Sequence, residues 1–66
     1  MKLLINNKLY DNVEKIIIRT KEEEICLLKH HQKTAGFGTL IFENKKINGA
    51  FIFENNLCKF FEFQSL

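Results

Sequence analysis

Four side chains in this 66-residue chain are of the types that hold metals or attack electrophiles: Cys26, His30, His31 and Cys58. Cys26 and His30 stand four residues apart, so they share a face of a strand and form an i, i+4 pair on a helix. A zinc site needs four ligands, most often at tight CxxC or HxxxH spacing. Here the second cysteine lies far along the chain, in a different kind of segment. A Cys–His pair can also build a nucleophile, but that needs a third group to orient the base and donors for an oxyanion. No motif supplies either. The expectation is therefore no metal, no cofactor, no catalytic residue and no enzymatic activity. Cys26 and Cys58 read as reduced, buried thiols of a cytoplasmic protein.

Charge narrows the partners. Ten basic and eight acidic residues give a net charge of +2, with the signs interleaved. Dedicated nucleic-acid domains are usually far more basic. The longest like-charge run, Glu22-Glu23-Glu24, reads as a solvated turn or helix start. The opening MKLLINNKLY is too short in apolar residues for a secretory leader, and no stretch approaches the roughly 20 apolar residues of a membrane span. With 45% hydrophobic residues, seven of them Phe, one small globular domain is expected. A domain of this size buries only about 60% of its unfolded surface, which favours a partner subunit. The weight of Lys, Asn, Ile and Phe follows A/T-rich codons and points to an AT-rich genome, such as that of a low-GC bacterium or its phage.

The elements that must position these residues are mostly strands. The stretch 36–63 contains its own copy: Gly38-Thr39-Leu40-Ile41-Phe42-Glu43-Asn44 recurs as Gly49-Ala50-Phe51-Ile52-Phe53-Glu54-Asn55. Strands are expected near 37–43, 47–54 and 57–64, joined by tight turns at Asn44-Lys45 and Asn55-Asn56. Residues 34–36 read as a break. Residues 2–10 read as a hairpin around Asn6-Asn7, and the β-branched run in 13–20 as a strand. Residues 21–33 have two readings. One is a strand over 24–31, turned back on 13–20 near Lys21-Glu22. The other is a helix over about 21–32, capped by Thr20 with Glu23 three residues on and with Lys29, His30, His31 and Lys33 in its last turn. The fold class is mainly β: a twisted antiparallel meander of about five or six strands, barrel- or sandwich-like. The alternative is α+β, with that one helix packed on the sheet.

Two-residue turns also fix which side chains share a face. One face collects Leu40, Phe42, Ile47, Phe51, Phe53, Cys58 and Phe60, and is the expected core. Gly38 and Gly49 lie on it opposite Phe51 and Leu40, as gaps that a large cross-strand neighbour covers. The other face holds charges near the turns, but also Phe37, Ile41, Ile52, Phe61 and Phe63. A sheet with one solvated side should be polar there. This apolar surplus is covered either by the N-terminal half of the chain or by another molecule.

Two resemblances bear on function. Lys33-Thr34-Ala35-Gly36-Phe37-Gly38 followed by a β-run resembles the KGFGFI strand motif of cold-shock domains, with Ala50-Phe51-Ile52-Phe53-Glu54 in the place of VFVHF. Thr39 stands where that family has an aromatic. The resemblance implies binding of single-stranded nucleic acid by stacking of bases on Phe37 and Phe61. The segment GFGTLIFENKKINGAFIFEN resembles the hairpin of MORN repeats at Gly36, Gly38, Phe42, Ile47, Gly49 and Phe51, which implies antiparallel hairpins. The reading preferred from the residues is a non-enzymatic protein-binding module or small inhibitor, for example a phage or mobile-element accessory protein. It would act through an apolar sheet face or edge, with Phe37, Ile41, Ile52, Phe61 and Phe63 contacting a protein partner or a further copy of the chain. The alternative is single-stranded nucleic-acid binding by Phe37, with Lys33, Lys45 and Lys46 on the phosphates.

Overall fold

Three tight turns rich in asparagine punctuate the chain. Asn6-Asn7, Glu43-Asn44 and Asn55-Asn56 each place both residues at positive φ (51° and 63°, 49° and 63°, 52° and 65°). That is the type I′ geometry whose twist matches a β-hairpin, and asparagine adopts it at low cost. The computed structural model describes residues 1–28 and 30–64. Its strands are β1 (Lys2–Ile5), β2 (Lys8–Tyr10), β3 (Ile16–Arg19), β4 (Glu24–Leu27), β5 (Thr34–Phe42), β6 (Lys45–Glu54) and β7 (Leu57–Glu62). They form one sheet in the order β2-β1-β7-β6-β5-β3-β4. The fold is mainly β, with seven strands rather than five or six and no helix among the described residues. Among the described strands only β1 and β7 pair in parallel. This order differs from the five-stranded barrel of the cold-shock class.

The segment with two readings is a hairpin. Ile18 faces Ile25 and Ile16 faces Leu27 across β3 and β4, and Ile25 and Leu27 point inward while Glu24 and Cys26 point out. That period of two outweighs the thin helical stripe of Ile25 and Leu28. Thr20 does act as a cap, but of a turn. Its hydroxyl accepts from the N–H groups of Glu22 and Glu23 at 3.3 and 3.0 Å, and Thr20 N–H donates to the Glu23 carbonyl at 2.8 Å. These bonds close a loop that lacks Gly, Asn or Asp. β4 ends at Leu27 rather than running to residue 31. There Leu28 N–H donates to His31 Nδ1 at 2.9 Å and His31 N–H donates back to the Leu28 carbonyl at 3.0 Å. Lys29, placed in the last turn of the helical reading, lies outside the described residues.

Other boundaries also move. β3 begins at Ile16, so residues 13–15 of the expected strand are not in it. Residues 34–36, expected as a break, open β5 instead, with Thr34 facing Phe53 and Gly36 facing Phe51. The glycine is tolerated in the strand because the Phe51 ring lies over it. The β5–β6 turn uses Glu43-Asn44, not Asn44-Lys45, which spares Lys45 a left-handed conformation. The pairing consequently shifts by two: Leu40 faces Ile47, and Gly38 faces Gly49 rather than Phe51. A shift of two preserves the alternation, so each side chain keeps its expected face. The β6–β7 register, with Phe53 opposite Cys58 and Phe51 opposite Phe60, is as expected.

The short connection over residues 11–15 forces the sheet to curl. Tyr10 to Ile16 can span at most about 21 Å. On a flat sheet β2 and β3 would lie five strand spacings, about 24 Å, apart. The curl brings the Tyr10 ring edge-on to Phe42 of β5 at 4.9 Å between centroids, although three strands lie between β2 and β5 in the sheet. Met1 and Val13 exchange backbone hydrogen bonds of 2.9 and 3.0 Å, tying down the connection. The inner surface so enclosed is the core: Leu3, Ile5, Ile16, Ile18, Leu27, Leu40, Phe51, Phe53, Cys58 and Phe60. Phe42 and Ile47 are half-buried at its margin.

Candidate interaction face

The outer face of the curled sheet follows from the alternation and the registers. One row across it runs Phe37, Ala50, Phe61 on β5, β6 and β7. The next row runs Ala35, Ile52, Lys59, Leu4, Leu9 and continues onto the N-terminal hairpin. On the other side of the phenylalanine row lie Arg19, Thr39 and Asn48, with Phe63 just beyond the end of β7. Among the described residues the exposed large hydrophobic ones are Leu9 (49%), Phe37 (71%), Ile52 (40%), Phe61 (54%) and Phe63 (53%), and all five belong to this outer surface. Ile41, grouped with them from the sequence, is half-buried between Ile17 and Lys46. The N-terminal half does not cover the patch. It extends the same sheet on both sides, β1 along β7 and β3 along β5. Leu4 and Leu9 thereby join the patch, which only the distant β1–β7 pairing could reveal.

Phe37 and Phe63 lie side by side, with ring centroids 6.1 Å apart and planes at 36°. Beside them is an open hollow of about 520 Å³, lined by Gly38, Thr39, Asn48, Arg19 and Lys21 as well as the two rings. Its polar wall is ordered. Thr39 Oγ1 donates to Asn48 Oδ1 at 2.7 Å, and Arg19 pairs with Glu24 at 3.1 Å. The basic residues tied to Phe37 from the sequence are not brought to it. Lys33 lies just before β5, 3.9 Å from the Glu54 carboxylate. Lys45 and Lys46 sit at the far turn of the β5–β6 hairpin, where Lys46 is four residues from Ala50, the partner of Phe37. That is about 13 Å along the strand. Arg19 and Lys21 are the cations near the ring, and they reach it only through the β3–β5 pairing.

The cysteines and histidines also separate. Cys58 is in the core, whereas Cys26 is exposed on the outer side of β4, contrary to the expectation that both are buried. Opposite faces of the sheet keep them apart, and both are free thiols. His30 and His31 stack on each other at 5.1 Å on the surface. Among the described residues no group of three or more His, Cys, Asp or Glu is placed to hold a metal ion, and no helix is long and apolar enough to cross a membrane.

Burial pushes the Cys58 thiol up to about 12 from 9.0. A raised acid pKa stabilises the fold only while the unfolded thiol is also neutral. Stability from this group is therefore full below pH 9 and is lost between pH 9 and 12, at about 1.4 kcal/mol per pH unit. Urea titrations from pH 8 to 11 should show this slope in the native chain, and Cys58→Ala should lack it. An equal slope in both would assign the alkaline loss to other groups. No protein-family model, curated protein or solved structure matches the chain.

Proposed function

We propose that this chain is a non-enzymatic protein-binding module whose working surface is the outer face around Phe37, Ile52, Phe61 and Phe63. One observation carries this reading: the large exposed hydrophobic residues among those described lie on one side of one sheet instead of scattering over both. A contiguous apolar patch of several hundred Å² on a small domain marks an interaction site. The face is favoured over the sheet edges, because edge strands β2 and β4 have only three and four residues, too short to template a partner strand well. We place the module in a reducing, cytoplasmic setting, which the two free thiols support.

Binding to single-stranded nucleic acid is the second reading. It is favoured by the adjacent Phe37 and Phe63 rings with Arg19 and Lys21 beside them. Two variants separate the readings. Phe61→Glu puts a charge at the β7 end of the Phe37-Ala50-Phe61 row and should weaken a protein contact by at least about 2 kcal/mol, the cost of spoiling a buried aromatic anchor. Its retention on the partner should be nearly independent of salt. Nucleic-acid binding would instead weaken steeply with salt and lose about 1–3 kcal/mol on Phe37→Ala. Retention of a single-stranded oligonucleotide with that salt slope would sink the protein-binding reading.

A further inference from the structure

We infer that the occupant of this face is a second copy of the chain, in a two-fold symmetric dimer; the inference rests on the face being a protein-binding surface. The first support is its area. With about 200 Å² for each aromatic side chain and somewhat less for an isoleucine, the exposed fractions of the three phenylalanines and Ile52 leave roughly 420 Å² of apolar surface. A standard interface buries about 800 Å² per partner, and in homodimers about 65% of that is apolar. The required apolar area is about 500 Å², most of which these four side chains supply.

Shape is the second support. A two-fold interface must be self-complementary, so each projection needs its recess on the same surface. Phe37, the most exposed of the large hydrophobic residues at 71%, is the projection. The hollow next to it, floored by Gly38 and Asn48 and walled by Phe63, is the recess. A two-fold axis passing between them seats each Phe37 in the partner's hollow. The Phe37-Ala50-Phe61 row carries no charge, and its small central alanine adds a dip between two rings.

Charge is the third. Glu54 and Glu24 each have a basic partner, Lys33 at 3.9 Å and Arg19 at 3.1 Å, and a net +2 per copy gives little repulsion. Lys59, beside Ile52, can lay its stem on the patch and keep its ammonium at the rim.

The test is sedimentation equilibrium of the full chain from about 10 µM to 1 mM, with circular dichroism on each variant. The native chain should run at twice its 7.8 kDa mass over the upper part of that range. Phe37→Glu removes the projection and Phe63→Glu spoils the recess wall. Each should stay folded, because both side chains are exposed, and weaken association at least about 100-fold. A native chain that stays monomeric at 1 mM overturns the dimer, as does a dimer indifferent to both variants. If the monomer instead binds a purified foreign protein and Phe61→Glu abolishes this, the dimer fails and the protein-binding reading stands. A monomer that binds an oligothymidine through Phe37 overturns both.

Discussion

Phe53→Ala is expected to leave most of the chain unfolded at 25 °C, whereas Phe61→Ala should change its stability by no more than about 0.5 kcal/mol. The two phenylalanines lie on neighbouring strands of the same hairpin, on opposite faces. Phe53 is fully buried, between Thr34 of β5 and Cys58 of β7 in the sheet, and its ring fills the inside of the curl. Removing a core phenylalanine costs about 3–5 kcal/mol, and a domain this small rarely has more than about 3–5 kcal/mol in total. The Phe61 ring is 54% exposed and lies on the outer face, outside the core cluster. Urea titration followed by circular dichroism, at a concentration low enough to keep the chain monomeric, measures both. Equal losses from the two substitutions would mean that the faces are assigned wrongly.

Gly49→Ala should be the second most damaging change, at about 1–3 kcal/mol or more, and Gly36→Ala a near-neutral one. Neither glycine has a positive φ, so conformational freedom does not explain them. Space does. A Cβ on Gly49 would run into the backbone carbonyl of Phe61 and come within 2.7 Å of the Phe60 ring. Backbone cannot step aside without breaking the β6–β7 pairing. Gly38 is similarly crowded, by Ile18 at 2.6 Å and the Arg19 carbonyl at 2.9 Å. At Gly36 the nearest atom is the edge of the Phe51 ring, at 3.4 Å. An alanine there meets ordinary contact, and it also restricts the unfolded chain, which can contribute about 0.4–1 kcal/mol of stability. Thermal melts of the two variants give the comparison. A Gly49→Ala protein as stable as the native chain would show that β6 and β7 do not approach so closely.

Much of the sheet is legible in the residue pattern alone. The period-two runs in 37–43, 47–54 and 57–64 and the paired asparagines at 6–7 and 55–56 specify hairpins, because alternation and turn chemistry are local properties. The same alternation separated Phe51, Phe53, Cys58 and Phe60 from Phe37, Ile52, Phe61 and Phe63, and it survived the turn shifting by one residue since partners then move by two. Thr20 was legible as a capping residue, but not as the cap of a hairpin. A hydroxyl that accepts two backbone N–H groups serves either role, and only the pairing of Ile25 and Leu27 with β3 chooses between them.

What the residue pattern could not supply is long-range. Nothing local to Lys2–Ile5 states that it will lie parallel to Leu57–Glu62, because parallel pairing needs no turn between the strands to announce it. That pairing and the short connection over residues 11–15 decide the curl, and the curl decides where the N-terminal half goes. It lengthens the sheet instead of roofing it, so the apolar outer face stays bare and gains Leu4 and Leu9. The same long-range pairings bring Arg19 and Lys21 to Phe37 and keep Lys45 and Lys46 away. Which residues face outward was thus a matter of alternation along each strand; which of them stand together, and that the chain itself leaves them uncovered, was a matter of strand order.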